Sequence, residues 1–186
     1  MIELSTIRDL VAIFGVIAGF SYYVLAVRAN QKNQELTLKS QEHATETRQI
    51  DIYMRWQLLQ TNPEWMQNYN EVHSLEWEDF EDFARKHSHT ENPESAGKRF
   101  AVWSYWNGLG YLLSRGVIDS DTMYDMMGNA CIGSWIKFEP IIQGFREHDG
   151  RPETWRWFEY LADEMKKVRD KRGMGEYTPS WRPSNR

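Results

Sequence analysis

The chain has 186 residues and a mean hydropathy of −0.69, so its apolar character is concentrated and the remainder is long enough for one compact domain with a connector. Net charge is −5, and because residues 1–28 hold two basic and two acidic residues, the rest of the chain carries all of it. That balance disfavours broad binding to nucleic acid, and the single cysteine, Cys131, excludes an intrachain disulfide.

Residues 10–27, LVAIFGVIAGFSYYVLAV, are 18 consecutive residues without a charge. As a helix they reach about 27 Å, close to the thickness of a bilayer core. The apolar residues fall on every face, which a soluble domain rarely needs. The segment reads as a transmembrane anchor, with Leu10, Phe14, Ile17, Phe20, Tyr22, Tyr23 and Val27 facing lipid or its interface. A cleaved signal peptide is the alternative. The leader MIELSTIRDL sets Glu3 and Asp9 against Arg8 and so lacks a basic n-region, which argues for a retained anchor. Arg28, Lys32 and Lys39 follow the segment, and the positive-inside rule places the C-terminal body in the cytoplasm at the cell membrane. Gly15 and Gly19 form a G-x-x-x-G, a spacing that lets two helices approach, although an incidental pair of glycines is the ordinary reading.

Residues 29–47 are polar and helix-permissive, apolar density rises again over 50–59 where the helix should meet the body, and 29–61 hold neither glycine nor proline. They predict a helical stalk, with too few apolar seam positions for a coiled coil. Asn62-Pro63 pairs a good N-cap with a residue suited to the first helical position and opens the soluble domain, 62–172. Trp65, Met66, Tyr69 and Val72 make a helical stripe. Ser74 is placed to cap a helix over 75–86. Asn92-Pro93 repeats the start signal and opens a long helix over 94–115, the expected centre of the fold, ending at Gly116. Gly108 and Gly110 lower its helix propensity by about 1 kcal/mol each, which close packing of another helix would offset. Asp119 or Ser120 caps a segment over 121–129. Residues 130–146 continue as helix, with Pro140 expected to kink or split them. A last amphipathic helix spans 153–172, and 173–186 form an irregular tail. The class is all-α: an N-terminal single transmembrane helix (1–28), a helical stalk (29–61), a compact irregular helical bundle (62–172) and the tail.

The run from Trp106-Asn107-Gly108-Leu109-Gly110-Tyr111 to Gly116-Val117-Ile118-Asp119 resembles a family signature. Trp135…Pro140-Ile141-Ile142…Arg146 and Trp157-Phe158-Glu159-Tyr160-Leu161 resemble it further. Together, over about residues 5–170, they resemble the domain-of-unknown-function family 4760. The resemblance implies an N-terminal transmembrane helix and an aromatic-rich helical domain. It implies no enzymatic activity to carry over.

Candidate chemistry is sparse. No H-E-x-x-H is present, and one cysteine permits no paired-cysteine zinc pattern. His87, His89 and Glu91 are a conceivable metal set, against a solvated loop. Glu71 and His73 do not share a helix face. Glu76, Glu78, Asp79, Glu81 and Asp82 read as a solvated face, Cys131 as a buried thiol, and Arg146 with Glu159 as an internal salt bridge. Trp103, Trp106, Trp155 and Trp157 are candidates for an interaction surface or pocket, against core packing as the ordinary role of such rings. The function expected is a membrane-anchored interaction or regulatory domain, more a binder than an enzyme, without cofactor or metal. Its partners would be the lipid bilayer, proteins and a second copy of itself, and not nucleic acid. A membrane-associated enzyme, such as a hydrolase using acidic and His residues, and a subunit of a larger membrane complex are the alternatives.

Overall fold

The computed structural model describes residues 4–179, with side chains from residue 10. The first residues of the expected anchor and residues 180–186 of the expected tail lie outside that range. The described residues form six helices and no strand, so the all-α class holds. They are α1 (Leu4–Gln60), α2 (Pro63–Ser74), α3 (Phe80–His87), α4 (Pro93–Ser114), α5 (Ser120–Asp149) and α6 (Arg156–Lys171). Contacts divide the chain into two units, Met1–Thr47 and Arg48–Arg186.

In the first unit, Leu10, Phe14, Ile17, Phe20, Tyr22, Tyr23 and Val27 are all exposed. Among the described residues one helix is long and apolar enough to cross a membrane, and none of its 18-residue apolar window, of mean hydropathy 2.2, is buried within the protein.

The second unit is built by local signals and then by aromatic packing. Asn62 Oδ1 accepts the Trp65 N–H at 3.0 Å and Asn92 Oδ1 accepts the Ser95 N–H at 3.0 Å, so both Asn-Pro pairs start helices as expected. Asp119 Oδ1 accepts the Thr122 N–H at 2.8 Å and starts α5. Gly116 follows α4 with φ of 65°, the left-handed conformation that favours glycine at a helix end.

Three boundaries differ from expectation, one of them the start of the last helix, which lies at Arg156 and not at 153 because Trp155 is left-handed. Ser74 ends α2 and does not begin the next helix. Asp79 is the cap instead, accepting the Asp82 N–H at 2.8 Å, so α3 is only eight residues long. Pro140 does not split the 120–149 region, where α5 is continuous. Pro140 is exposed, while Phe138, Ile141 and Ile142 beside it are buried, and that packing offsets the lost backbone bond.

α6 packs against both α4 and α5, α2 packs on α4, and α3 touches α4 and α5. The core includes Trp103, Trp106, Trp135, Phe83, Phe138 and Phe158, with Ile52 and Trp56 of α1 half-buried against it. α5 buries more residues than α4, so the centre is shared, not held by α4 alone.

Candidate functional site

The site is a cavity of about 470 Å³ bordered by the early part of α4, the end of α5 and the connector into α6. That volume lies within the ordinary range of small-molecule sites. Two of the four singled-out tryptophans, Trp103 and Trp155, line it, together with Gly97, Arg99, Phe100 and Phe145. Trp106 and Trp157 lie elsewhere. Trp106 is buried against Phe158, the rings stacked with centroids 6.1 Å apart. Trp157 is half-buried between Tyr111 and Tyr160.

The family-like run on α4 seats the start of α6, next to the Trp155 that lines the cavity. Asn107 Oδ1 accepts the Trp157 and Phe158 N–H groups at 3.1 and 3.3 Å. The cap position of α6, Trp155, offers no side-chain cap of its own, so a residue 50 positions away satisfies these donors. Gly110 completes the seat: a Cβ there would stand 1.8 Å from the Trp157 carbonyl oxygen. Gly108 has no such neighbour, and only one of the two glycines is explained by close helix packing. Docked this way, the start of α6 puts Trp155 at φ of 56°, a left-handed backbone that a bulky residue rarely adopts. Its ring meets Trp103 and Phe100 edge-on at 5.7 and 5.4 Å. On the other side of the connector Arg146 ties it down, donating through Nε to the Thr154 carbonyl at 2.9 Å and pairing with Glu159 at 2.8 Å, the expected internal salt bridge.

Arg99 is the cation of the cavity, with the carboxylate of Asp149 also on its lining. It is only 8% exposed. Its Nη1 donates to the His87 carbonyl at 2.9 Å, and its guanidinium lies 4.8 Å from the Phe83 ring centroid, 5.2 Å from Trp103 and 5.4 Å from Phe145. Burial lowers its pKa to about 10. Arg99 was not singled out from the sequence. The signal was available, because 99, 103, 106 and 110 share one helical face and an arginine on an apolar stripe is anomalous.

A second polar cluster joins α2 to α5. His73 Nδ1 lies 2.8 Å from the Tyr69 carbonyl, which only accepts, so Nδ1 carries the proton in neutral His73. Its Nε2 lies 2.8 Å from Ser134 Oγ, whose one proton is shared between Nε2 and the Ala130 carbonyl, also at 2.8 Å, and Tyr69 donates to Ser134 Oγ at 3.2 Å. A serine hydroxyl on a neutral imidazole can make an activated nucleophile, but here the Ala130 carbonyl competes for the proton and Ser134 is 1% exposed, out of reach of a substrate. The cluster is a buried tie between two helices. Burial holds His73 below its ordinary pKa of 6.5, the bond to the Tyr69 carbonyl opposing and the Lys137 charge assisting. His87 is lowered too, by burial first. Native histidines that resist protonation bind fewer protons than the unfolded chain, so stability should fall as pH drops through 6.5. For His73 the slope is at most about 1.4 kcal/mol per pH unit. Urea unfolding at pH 7.5, 6.5 and 5.5 checks this, and His73→Gln should flatten the dependence; an unchanged slope would remove His73 as its source.

Among the described residues no group of three or more His, Cys, Asp or Glu side chains is placed to hold a metal. The acidic run is not wholly a solvated face: Asp82 is 8% exposed, accepting from Lys86 at 2.6 Å and pairing with Arg85, while Asp79 caps α3. Cys131 is fully buried, and burial raises its thiol well above the ordinary value.

The model of the family described as "Domain of unknown function (DUF4760)" matches residues 10–165, and the chain belongs to that family. No curated protein and no solved structure matches the chain.

Proposed function

We propose that this DUF4760 member is a single-pass membrane protein whose helical body is an interaction or regulatory domain that acts by binding. The observation that carries the reading is the uncharged run 10–27 on a helix none of whose apolar window is buried in the protein. Eighteen such residues left in water would be strongly unfavourable, and a bilayer or a partner removes the cost. Arg28, Lys32 and Lys39 support a cytoplasmic body by the positive-inside rule. Gly15 and Gly19 have the G-x-x-x-G spacing that lets a second helix approach, and the pairing proposed there is with another copy of this chain. The binding role is supported by the aromatic cavity with its buried cation.

The test is deletion of residues 1–28. The truncated chain should move from the membrane pellet to the soluble fraction with its body folded, and a truncated chain that still pellets would overturn the anchor. For orientation, a tag after Arg186 should resist protease added to intact cells. Cleavage of the tag without permeabilisation would place the body outside.

A further inference from the structure

We propose that the cavity over Arg99 binds a small monocarboxylate with an apolar body, the carboxylate pairing with the guanidinium and the body lying on Phe100 and Trp155, which the buried Trp103 backs. This deepens the binding reading above, on which it rests, and is independent of membrane anchorage, since every residue involved lies in the second unit.

Arg99 is a cation without an anionic partner among the described residues. A guanidinium largely withdrawn from water is poorly compensated unless paired, and no Arg99 nitrogen is both enclosed and without a partner, so its remaining donors reach the open space of the cavity. The chain pairs its neighbours: Lys98 takes Glu71 and Glu94 at 2.6 Å each, and Arg146 takes Glu159 at 2.8 Å. Among the described residues Arg99 has no carboxylate within salt-bridge distance, and one backbone carbonyl takes one of its five N–H donors. The three aromatic faces attract the cation but are weak partners for donors that point outward in the guanidinium plane. Those donors form a planar fork suited to a carboxylate.

The surroundings narrow the class. The walls are aromatic, which suits an apolar body. His89 and Asp149 are the other titratable groups at the cavity, with Asp149 held by His148 at 2.9 Å. One carboxylate already at the rim disfavours a dianion such as a phosphate monoester and leaves a monoanion as the better match. About 470 Å³ suits a short alkyl or aryl body better than a long acyl chain. Gly97 borders the same space, and a Cβ there would meet nothing within 4 Å, so the wall is open at that point. Trp155, left-handed at φ of 56°, lines the cavity with its ring edge-on to Phe100 at 5.4 Å, and strain of this kind concentrates at ligand clamps.

The test is calorimetric titration of the full-length chain in a nonionic detergent, with detergent alone as blank, using phenylbutyrate, the neutral phenylbutanol and phenylpropyl phosphate. Phenylbutyrate should bind at least tenfold more tightly than either of the others. Gly97→Leu, which should not lower the melting temperature, should weaken phenylbutyrate at least tenfold by filling the space. Arg99→Met should remove the preference for acid over alcohol. The proposal is overturned by equal affinity for acid and alcohol in the parent, by Gly97→Leu binding as the parent does, or by no phenylbutyrate binding at millimolar concentration. Tighter binding of the phosphate would overturn the monocarboxylate assignment. Each of these results leaves the fractionation of the 1–28 deletion unchanged, so failure here and failure of the anchor are separate outcomes.

Discussion

Replacing Trp106 by alanine is expected to lower the stability of the folded chain by about 3–5 kcal/mol. The ring is 2% exposed, stacks on Phe158 at 6.1 Å and meets Tyr105 edge-on at 5.2 Å. Its removal takes a large apolar group from the core and leaves a cavity between α4 and α6, which close-packed helices fill only in part. The indole N–H has no partner among the described residues, so the loss is one of packing and not of a hydrogen bond. A loss of that size is a large share of a typical domain's stability. Glu78→Ala is the control: the residue is exposed, and the change should be less than about 0.5 kcal/mol. Thermal or urea unfolding of the full-length chain, followed by near-ultraviolet circular dichroism, compares both variants with the parent. A Trp106→Ala chain as stable as the parent would remove Trp106 from the core.

The second large effect is a difference in sign between two glycines one turn-fraction apart on α4. Gly110→Ala should destabilise by about 3 kcal/mol or more, the upper end of overpacking costs. The added Cβ would stand 1.8 Å from the Trp157 carbonyl oxygen, 2.6 Å from its carbon and 3.1 Å from Leu161 Cβ. The first two are backbone atoms and cannot rotate away, so the start of α6 must shift and the Asn107 bonds to Trp157 and Phe158 stretch. Gly108→Ala meets nothing within 4 Å and should stabilise by up to about 1 kcal/mol through helix propensity. The same unfolding measurement reads both. Equal and small effects would mean that α6 does not seat on Gly110.

What was legible in the sequence was local. Asn62-Pro63 and Asn92-Pro93 carry their own capping chemistry, and the aromatic periodicity of 94–115 marks a buried helix without reference to the rest of the chain. What was not legible depended on distant residues. Asn107 reads as an ordinary polar residue mid-helix, because the two N–H groups it satisfies belong to α6. Gly108 and Gly110 look alike until Trp157 is set against one of them. Trp77 has the spacing of a helical stripe with Phe80 and Phe83, yet it sits in the connector before α3, its ring stacked on Phe138 at 5.6 Å and edge-on to Phe83 at 5.1 Å. There the apolar pattern specified burial, while the Asp79 cap decided the backbone. His73 and Ser134 likewise gain meaning only as a pair across 61 residues. Arg99 is the exception, since its place on an apolar stripe was visible from spacing alone.

Central to the functional reading is that residues 10–27 remain part of the protein and hold it in a bilayer. The measurement that addresses this most directly is an alkaline carbonate wash of membranes carrying the full-length chain, with intact mass determined on the washed pellet. An anchored chain stays in the pellet at its full-length mass. A chain released into the supernatant, or one shortened to begin at Asn30, would contradict it.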